Sequence, residues 1–273
     1  RQQIAPSFVD AHVHIESSLM PPSEFARWAV VHGTVATVSD PHEIANVLGE
    51  AGVRYMLDDA RRSPLKFHFG APSCVPATDR ESSGATLDAK AVAKLLARRD
   101  VYGLSEVMNY PGVLGGDPQV LAKIEAARRL GKPVDGHAPG LRGAQARAYA
   151  AAGITTDHEC YTLAEAREKA AAGMKILLRE GSGARNLDAL LPLLRERPEA
   201  CLFCCDDLHP DLLLVRHIDE LVRRALAAGA DRLDALACAS LHPVRHYGLK
   251  VGLLQPGDPA DFIVFEGWKT LRV

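Results

Sequence analysis

The stretch FVDAHVHI, residues 8–15, alternates apolar and polar side chains with the two-residue period of a β-strand. Seven further short apolar or β-branched runs follow: TVATVSD (34–40), KFHFGAPS (66–73), VYGLSEV (101–107), PVDGHA (133–138), ITTDHE (154–159), MKILLREG (174–181) and CLFCCDD (201–207). Between them lie Ala- and Leu-rich stretches of helical character, among them SEFARWAVVHG, DAKAVAKLLARRD, DPQVLAKIEAARRLG, GAQARAYAAAG and LAEAREKAAAG. Several open on Ser or Asp and close on Gly, the usual helix start and stop signals. Strands alternating with helices predict a parallel sheet with crossover helices. Eight such units match the compact end of the (β/α)8 TIM-like barrels, whereas a doubly wound sheet would show fewer strands and a Gly-rich first turn.

Past the eighth strand, two helical stretches (211–228 and 231–247) lead to LKVGLLQPGDPADFIVFEGW, which reads as a hairpin of short strands around the turn PGDPAD. The expected organisation is an α/β catalytic barrel over 1–248 and, over 249–273, a remnant of a flanking β-sandwich module whose remaining strands lie outside this chain. The 273 residues are 47% hydrophobic and 24% charged, which is globular usage. A formal net charge of −2 and the lack of a long basic run argue against a nucleic-acid partner. No stretch approaches 18 consecutive apolar residues, so no membrane partner is expected, and the opening RQQIAPSFVDAHVH lacks a signal-peptide profile. A cytoplasmic location, a small-molecule substrate and a homo-oligomer are the expectations. The six cysteines read as reduced. Cys201 and Cys204 form a CxxC pair, but positions three apart on a strand face opposite ways, which argues against a zinc knuckle.

In a barrel, the catalytic groups project from the C-terminal ends of the strands. His12 and His14 share the inward face of the first strand, as two imidazoles on one metal require. Glu106 ends the fourth strand, His137 the fifth, His158 the sixth, and Asp206 with Asp207 the eighth. The separations along the chain are whole numbers of βα units. Four histidines, a carboxylate able to bridge and a terminal carboxylate suit a two-metal site whose bridging hydroxide is the nucleophile.

With its HxH followed by strand-end Glu, His, His and Asp, the chain resembles the amidohydrolase superfamily of metal-dependent barrels. More narrowly, DAHVHIESS, VSDPHEIANVLG, GLSEVMNYPGV, DGHAPGL, GITTDHE and CDDLHP resemble the bacterial-type adenine deaminases within it. The resemblance runs from residue 4 to about 265. It departs at Ser7, where Gly is usual, in the absence of β-sandwich strands ahead of the barrel, and in the chain stopping short of the usual long C-terminal extension.

The resemblance implies hydrolytic deamination of adenine to hypoxanthine and ammonia at two divalent ions, Mn²⁺ or Fe²⁺, with Zn²⁺ also compatible with the donors. His12 and His14 would hold the first ion with Asp206 at its open side, Glu106 would bridge, and His137 with His158 would hold the second. Asp206 is the expected base. For the acid that protonates the purine ring, Glu16, His42, Glu159 and Asp207 all lie near strand ends, with Glu16 set first. Asp40 either contacts substrate, orients a metal ligand or makes a turn before Pro41. Ser182 stands at the rim for a purine contact or serves its own loop. The alternatives are deamination of another purine, an amide hydrolase such as a sugar deacetylase using Arg142 or Arg179 for a phosphate, and a barrel without activity serving as a scaffold.

Overall fold

The interior of the sheet is built from rows of side chains that start apolar and end polar. Val9 and Ala11, Ala36 and Val38, Leu177, and Leu202 and Cys204 pack together as one fully buried cluster. Continuing each row by the strand period of two brings His12 and His14, Asp40, Arg179 and Asp206 to the same end of the sheet. In the first row the phase moves by one, because the pairing register shifts between Asp10 and Val13. That shift turns His12 and His14 inward after Ala11.

The structure, a computed structural model, describes residues 2–78, 80–268 and 270–273. Its strands are β1 (Gln2–Pro6), β2 (Phe8–His14), β3 (Thr34–Ser39), β4 (Lys66–Phe69), β5 (Leu104–Val107), β6 (Val134–Gly136), β7 (Thr156–Asp157), β8 (Lys175–Arg179), β9 (Cys201–Cys204), β10 (Asp206–Asp207) and β11 (Phe262–Glu266). All eight sequence-expected strands form, as β2 to β9, with β10 prolonging the last. Parallel ladders join β2–β3–β4, β5–β6 and β7–β8–β9, and β10 returns to β2 through Asp206–Val13 and Asp207–His14. Short runs of hydrogen bonds join the ladders to one another. Ser105 donates its N–H to the Ala71 carbonyl (2.9 Å), and Thr155 donates to that of Val134 (2.9 Å). Glycine permits both approaches: a Cβ on Gly70 would lie 2.1 Å from Ser105 Oγ, and one on Gly136 would lie 2.3 Å from the Thr156 carbonyl.

Helices fill the crossovers, and their starts follow local chemistry. Asp117 accepts from Gln119 N (2.8 Å) and Val120 N (3.2 Å) ahead of helix Pro118–Arg129, and Thr162 accepts from Glu165 N (3.2 Å) ahead of helix Leu163–Ala171. Their apolar faces and the outer faces of the strands form the larger core around Phe8, Phe25, Phe69 and Phe203. Each such fully buried side chain contributes about 1.5–3 kcal/mol. Tyr247, Leu249 and Val251 pack on the inner cluster at the end of the sheet opposite the polar residues.

The C-terminal run departs from its expected hairpin. No strand forms over 249–261, and β11 pairs antiparallel with β1, from Gln2–Glu266 to Pro6–Phe262. Ala5, Ile263 and Phe265 face the large core, while Ile4, Phe262 and Val264 face outward. The PGDPAD segment uses its carboxylates locally instead: Asp258 accepts from Leu253 N (2.7 Å) and Gln255 N (3.1 Å). All six cysteines are free and buried. Cys201 lies in the outer cluster and Cys204 in the inner one, the opposite faces expected of them. Among the described residues, no helix is long and apolar enough to cross a membrane.

Candidate metal centre

His12, His14, Glu106, His137, His158 and Asp206 converge at one end of the sheet, and all but the half-buried His137 are buried. His12 Nε2 and His14 Nε2 are 3.2 Å apart, and Asp206 Oδ1 stands 3.3 and 3.2 Å from them. Glu106 spans the two halves of the cluster. Its Oε1 is 3.4 Å from His14 Nε2, while its Oε2 is 2.7 Å from His137 Nδ1 and 3.2 Å from His158 Nε2. His137 Nδ1 and His158 Nε2 are themselves 3.2 Å apart.

Donor atoms bound to one ion at about 2.0–2.2 Å stand roughly 3.2–3.6 Å from one another in tetrahedral coordination. Most of the spacings within the two trios are of that size, and the donors are imidazoles and carboxylates, the set that divalent transition ions take. Each trio of histidines and a carboxylate therefore fits a divalent metal.

Electrostatics binds the cluster together. Burial alone would push Asp206 up, but hydrogen bonds from His12 and His14 hold it well below the usual carboxylate range. Glu106 is held down likewise, its burial outweighed by His137 and His158. Burial pulls His14 down, yet the hydrogen bond to Asp206 and the charge of Glu106 raise it well above its ordinary value. His158 is lowered, chiefly by burial and then by the neighbouring His12. The carbonyl of Asp40 accepts from His14 Nδ1 (3.0 Å), which aims Nε2 into the cluster.

His14, Glu106, His137, His158 and Asp206 line a cavity of about 240 Å³ together with His42, Glu43, Met108, Glu159, Arg179, Gly183, Ala184 and Asp207, and His12 lies outside that lining against His14 and Asp206. A larger cavity, about 750 Å³, opens between segment 75–88 and helix Pro118–Arg129, but none of the clustered histidines reaches it, so the chemistry belongs to the smaller one. His42 Nδ1 lies 3.3 Å from both Asp40 Oδ2 and Glu106 Oε1. Burial, the largest cause, lowers this ring's pKa, but the charge and hydrogen bond of Asp40 together with the charge of Glu106 outweigh it and push the value up to about 9. Arg179 is 1% exposed, and its Nη1 donates to Asp206 Oδ2 (2.7 Å) and to Glu159. Asp207 lines the cavity alongside Asp206 although neighbours on a strand normally alternate. The reason is that Asp206 has a left-handed φ of +58°, which kinks the strand end. Asp207 accepts from Ser17 Oγ (2.6 Å), whose hydroxyl also reaches Glu43 (3.2 Å).

Four other candidates take local partners. Glu16 is not in the cavity lining. Its Oε1 accepts from Ile44 N (3.2 Å), and burial, the largest cause, pushes its carboxyl up to about 7. Ser182 ties its loop to the one after β10, accepting from His209 N (2.8 Å). Arg142 pairs with Glu168 on the surface, far from the role of a phosphate contact, and Arg179 is occupied by two carboxylates. Sequence reading passed over His217, which is fully buried, 2.6 Å from Thr34 Oγ1 and 3.1 Å from Asp10 Oδ2, and ties the base of β2 to the following helix. A polar residue opening an amphipathic helix after the last strand was the signal available.

An eight-stranded α/β barrel with histidines and carboxylates gathered at the C-terminal strand ends defines a divalent-metal barrel. The chain belongs to the amidohydrolase family, whose profile matches residues 4–272. It is 62% identical over 272 residues to an adenine deaminase of Salinibacter ruber and 58% identical over 273 residues to one of Methanosarcina mazei, in each case across the whole of this chain. It covers 50% and 49% of those proteins, so the chain spans about half the length of the curated relatives it matches. In fold it is similar to an N-acetyl-D-glucosamine-6-phosphate deacetylase from Mycobacterium smegmatis (TM-score 0.67, 20% identity, 98% of this chain and 83% of that one). It is similar also to a beta-aspartyl dipeptidase from Fervidobacterium islandicum AW-1 (TM-score 0.66, 14% identity, 99% and 80%).

Proposed function

We propose that the protein deaminates adenine hydrolytically to hypoxanthine and ammonia. The carrying observation is the clustering of six donors, five of them lining one small cavity, in a chain that shares about three residues in five with proteins named adenine deaminase. His12, His14 and Asp206 would hold one divalent ion, His137 and His158 a second, with Glu106 shared between them. Mn²⁺ or Fe²⁺ is the proposed occupant, and Zn²⁺ suits the same donors. Such ions lower the pKa of bound water from about 15.7 to about 7 and so supply hydroxide at neutral pH.

The remaining work falls to the chain itself. Asp206, fixed through Oδ2 by Arg179, is placed to accept a proton from the attacking water and to return it to the departing amine. Attack at the amine-bearing carbon builds charge on the adjacent ring nitrogen. His42, Glu159 and Asp207 line the cavity and can deliver the proton that neutralises it. Gly183, Ala184 and Met108 offer small and apolar surface to a flat ring. β1 and β11 form a flanking β module beside the barrel in this proposal. The test is ammonia release from a panel of adenine, other aminopurines and N-acetylated sugars after reconstitution with Mn²⁺ or Fe²⁺. Turnover of adenine above the rest supports the reading, and release of acetate in its place removes it.

A further inference from the structure

Behind His137 and His158 lies a charged cluster that the proposed chemistry leaves unused. Lys169, on helix Leu163–Ala171, is fully buried. Its ammonium donates to the Ala138 carbonyl (2.6 Å), to Asp157 Oδ2 (2.9 Å) and to Glu165 Oε1 (2.7 Å), which uses all three of its protons. Asp157 is also fully buried, and its two oxygens do different work. Oδ2 accepts from Ala138 N (3.1 Å), the residue after His137, and Oδ1 accepts from Glu159 N (2.6 Å), the residue after His158. Glu165 Oε1 accepts in addition from Gly140 N (2.9 Å) in the same loop as His137.

One carboxylate thus staples the backbone on the C-terminal side of both histidines, and one ammonium fixes that carboxylate from behind. The links from this cluster to the other half are indirect: Glu159 pairs with Arg179, which pairs with Asp206, and the His158 ring stacks on His12 with centroids 4.1 Å apart. Resting on the two-ion reading above, we propose that Asp157 and Lys169 are positioning residues for one half of the centre. They set His137 and His158 at the spacing that binds an ion, and they reach the half built by His12, His14 and Asp206 only through other side chains.

His137 sits on a loop, and among the described contacts its ring is held only by Glu106, His158 and Glu159. Without the staple, the Ala138 and Glu159 amides lose their shared acceptor and the two loops are free to part. Buried polar groups left without partners then drive local rearrangement.

Lys169→Met and Asp157→Asn would be compared with the unaltered chain by titrating apoprotein with Mn²⁺ and counting bound ions per chain, with circular dichroism and thermal melting as checks on folding. Asp157→Asn keeps the size of the side chain but offers one acceptor oxygen where two N–H groups need one, so it serves if Lys169→Met fails to fold. The expected result is two ions on the unaltered chain and, on folded variants, one ion held normally with the other weakened about 10- to 100-fold. The ion that the folded variants still hold normally should be the one lost when His12 is also replaced by Ala. Two ions held normally by the variants, or both weakened in parallel, would overturn the positioning role alone. No ion on the unaltered, folded chain would overturn the two-ion reading and this inference with it.

Discussion

Replacing Asp206 by Asn separates its charge from its shape. Asn tolerates the left-handed backbone at this position, where φ is +58°, so the substitution adds little backbone strain. The amide removes the acceptor charge from Arg179 Nη1 at 2.7 Å, a charge-assisted bond of about 1.5–3 kcal/mol. Glu159 keeps the guanidinium paired, so the loss stays below the roughly 3–5 kcal/mol of a buried charge stranded alone. In a domain of this size the melting temperature should fall by roughly 3–12 °C. Asp206→Ala should be less stable still by about 1–2 kcal/mol, since Ala pays the left-handed penalty. Turnover of adenine in Asp206→Asn should drop about a hundredfold or more, with a smaller change in KM, as befits a group that moves a proton. Steady-state kinetics beside thermal melts of both variants make the measurement. Near-normal turnover in a stable Asp206→Asn protein would refute the reasoning and shift the proton carrier to Asp207, the next carboxylate in the cavity.

Elemental analysis should find up to two transition ions per chain, with His12→Ala or Glu106→Ala losing at least one, and unchanged content would break the ligand assignment. Phe265→Ala, which opens a hole where β11 meets the large core, should cost about 3–5 kcal/mol in denaturant unfolding and expose the β1 amides to hydrogen exchange. A β11 that shows no protection in the unaltered chain would contradict the β1 pairing. His68 and His246 are both lowered by burial, so between their folded values and about 6.5 the unfolded chain binds more protons. Each should therefore take stability away as pH falls through that window. NMR titration placing either ring above 6.5 would reverse the sign.

Much of this architecture was legible in the sequence because the strands carry their own period. The rows Ala36–Val38–Asp40 and Leu202–Cys204–Asp206 can be counted residue by residue, and each ends in a site group. The pairing of β1 with β11 was not legible, since QQIAP and FIVFE sit at opposite ends of the chain and the turn chemistry of PGDPAD points to a local hairpin. The six clustered donors were readable from strand-end position alone. Roles that depend on direction within a loop were not: Glu16 turns to the Ile44 amide, and the kink at Asp206 brings Asp207 into the cavity. Arg179 looked like a free cation in sequence and is instead held by Glu159 and Asp206. Lys169 gave no signal beyond its i,i+4 spacing from Glu165 in an Ala-rich helix, a pattern that usually marks a surface ion pair.

The central claim is that the cluster around Glu106 runs adenine deamination with two divalent ions. It is tested most directly by following hypoxanthine formation from adenine while apoprotein is titrated with Mn²⁺. The account predicts activity that rises until two ions are bound per chain and disappears on chelation. Folded protein that binds two ions and leaves adenine unchanged would contradict it.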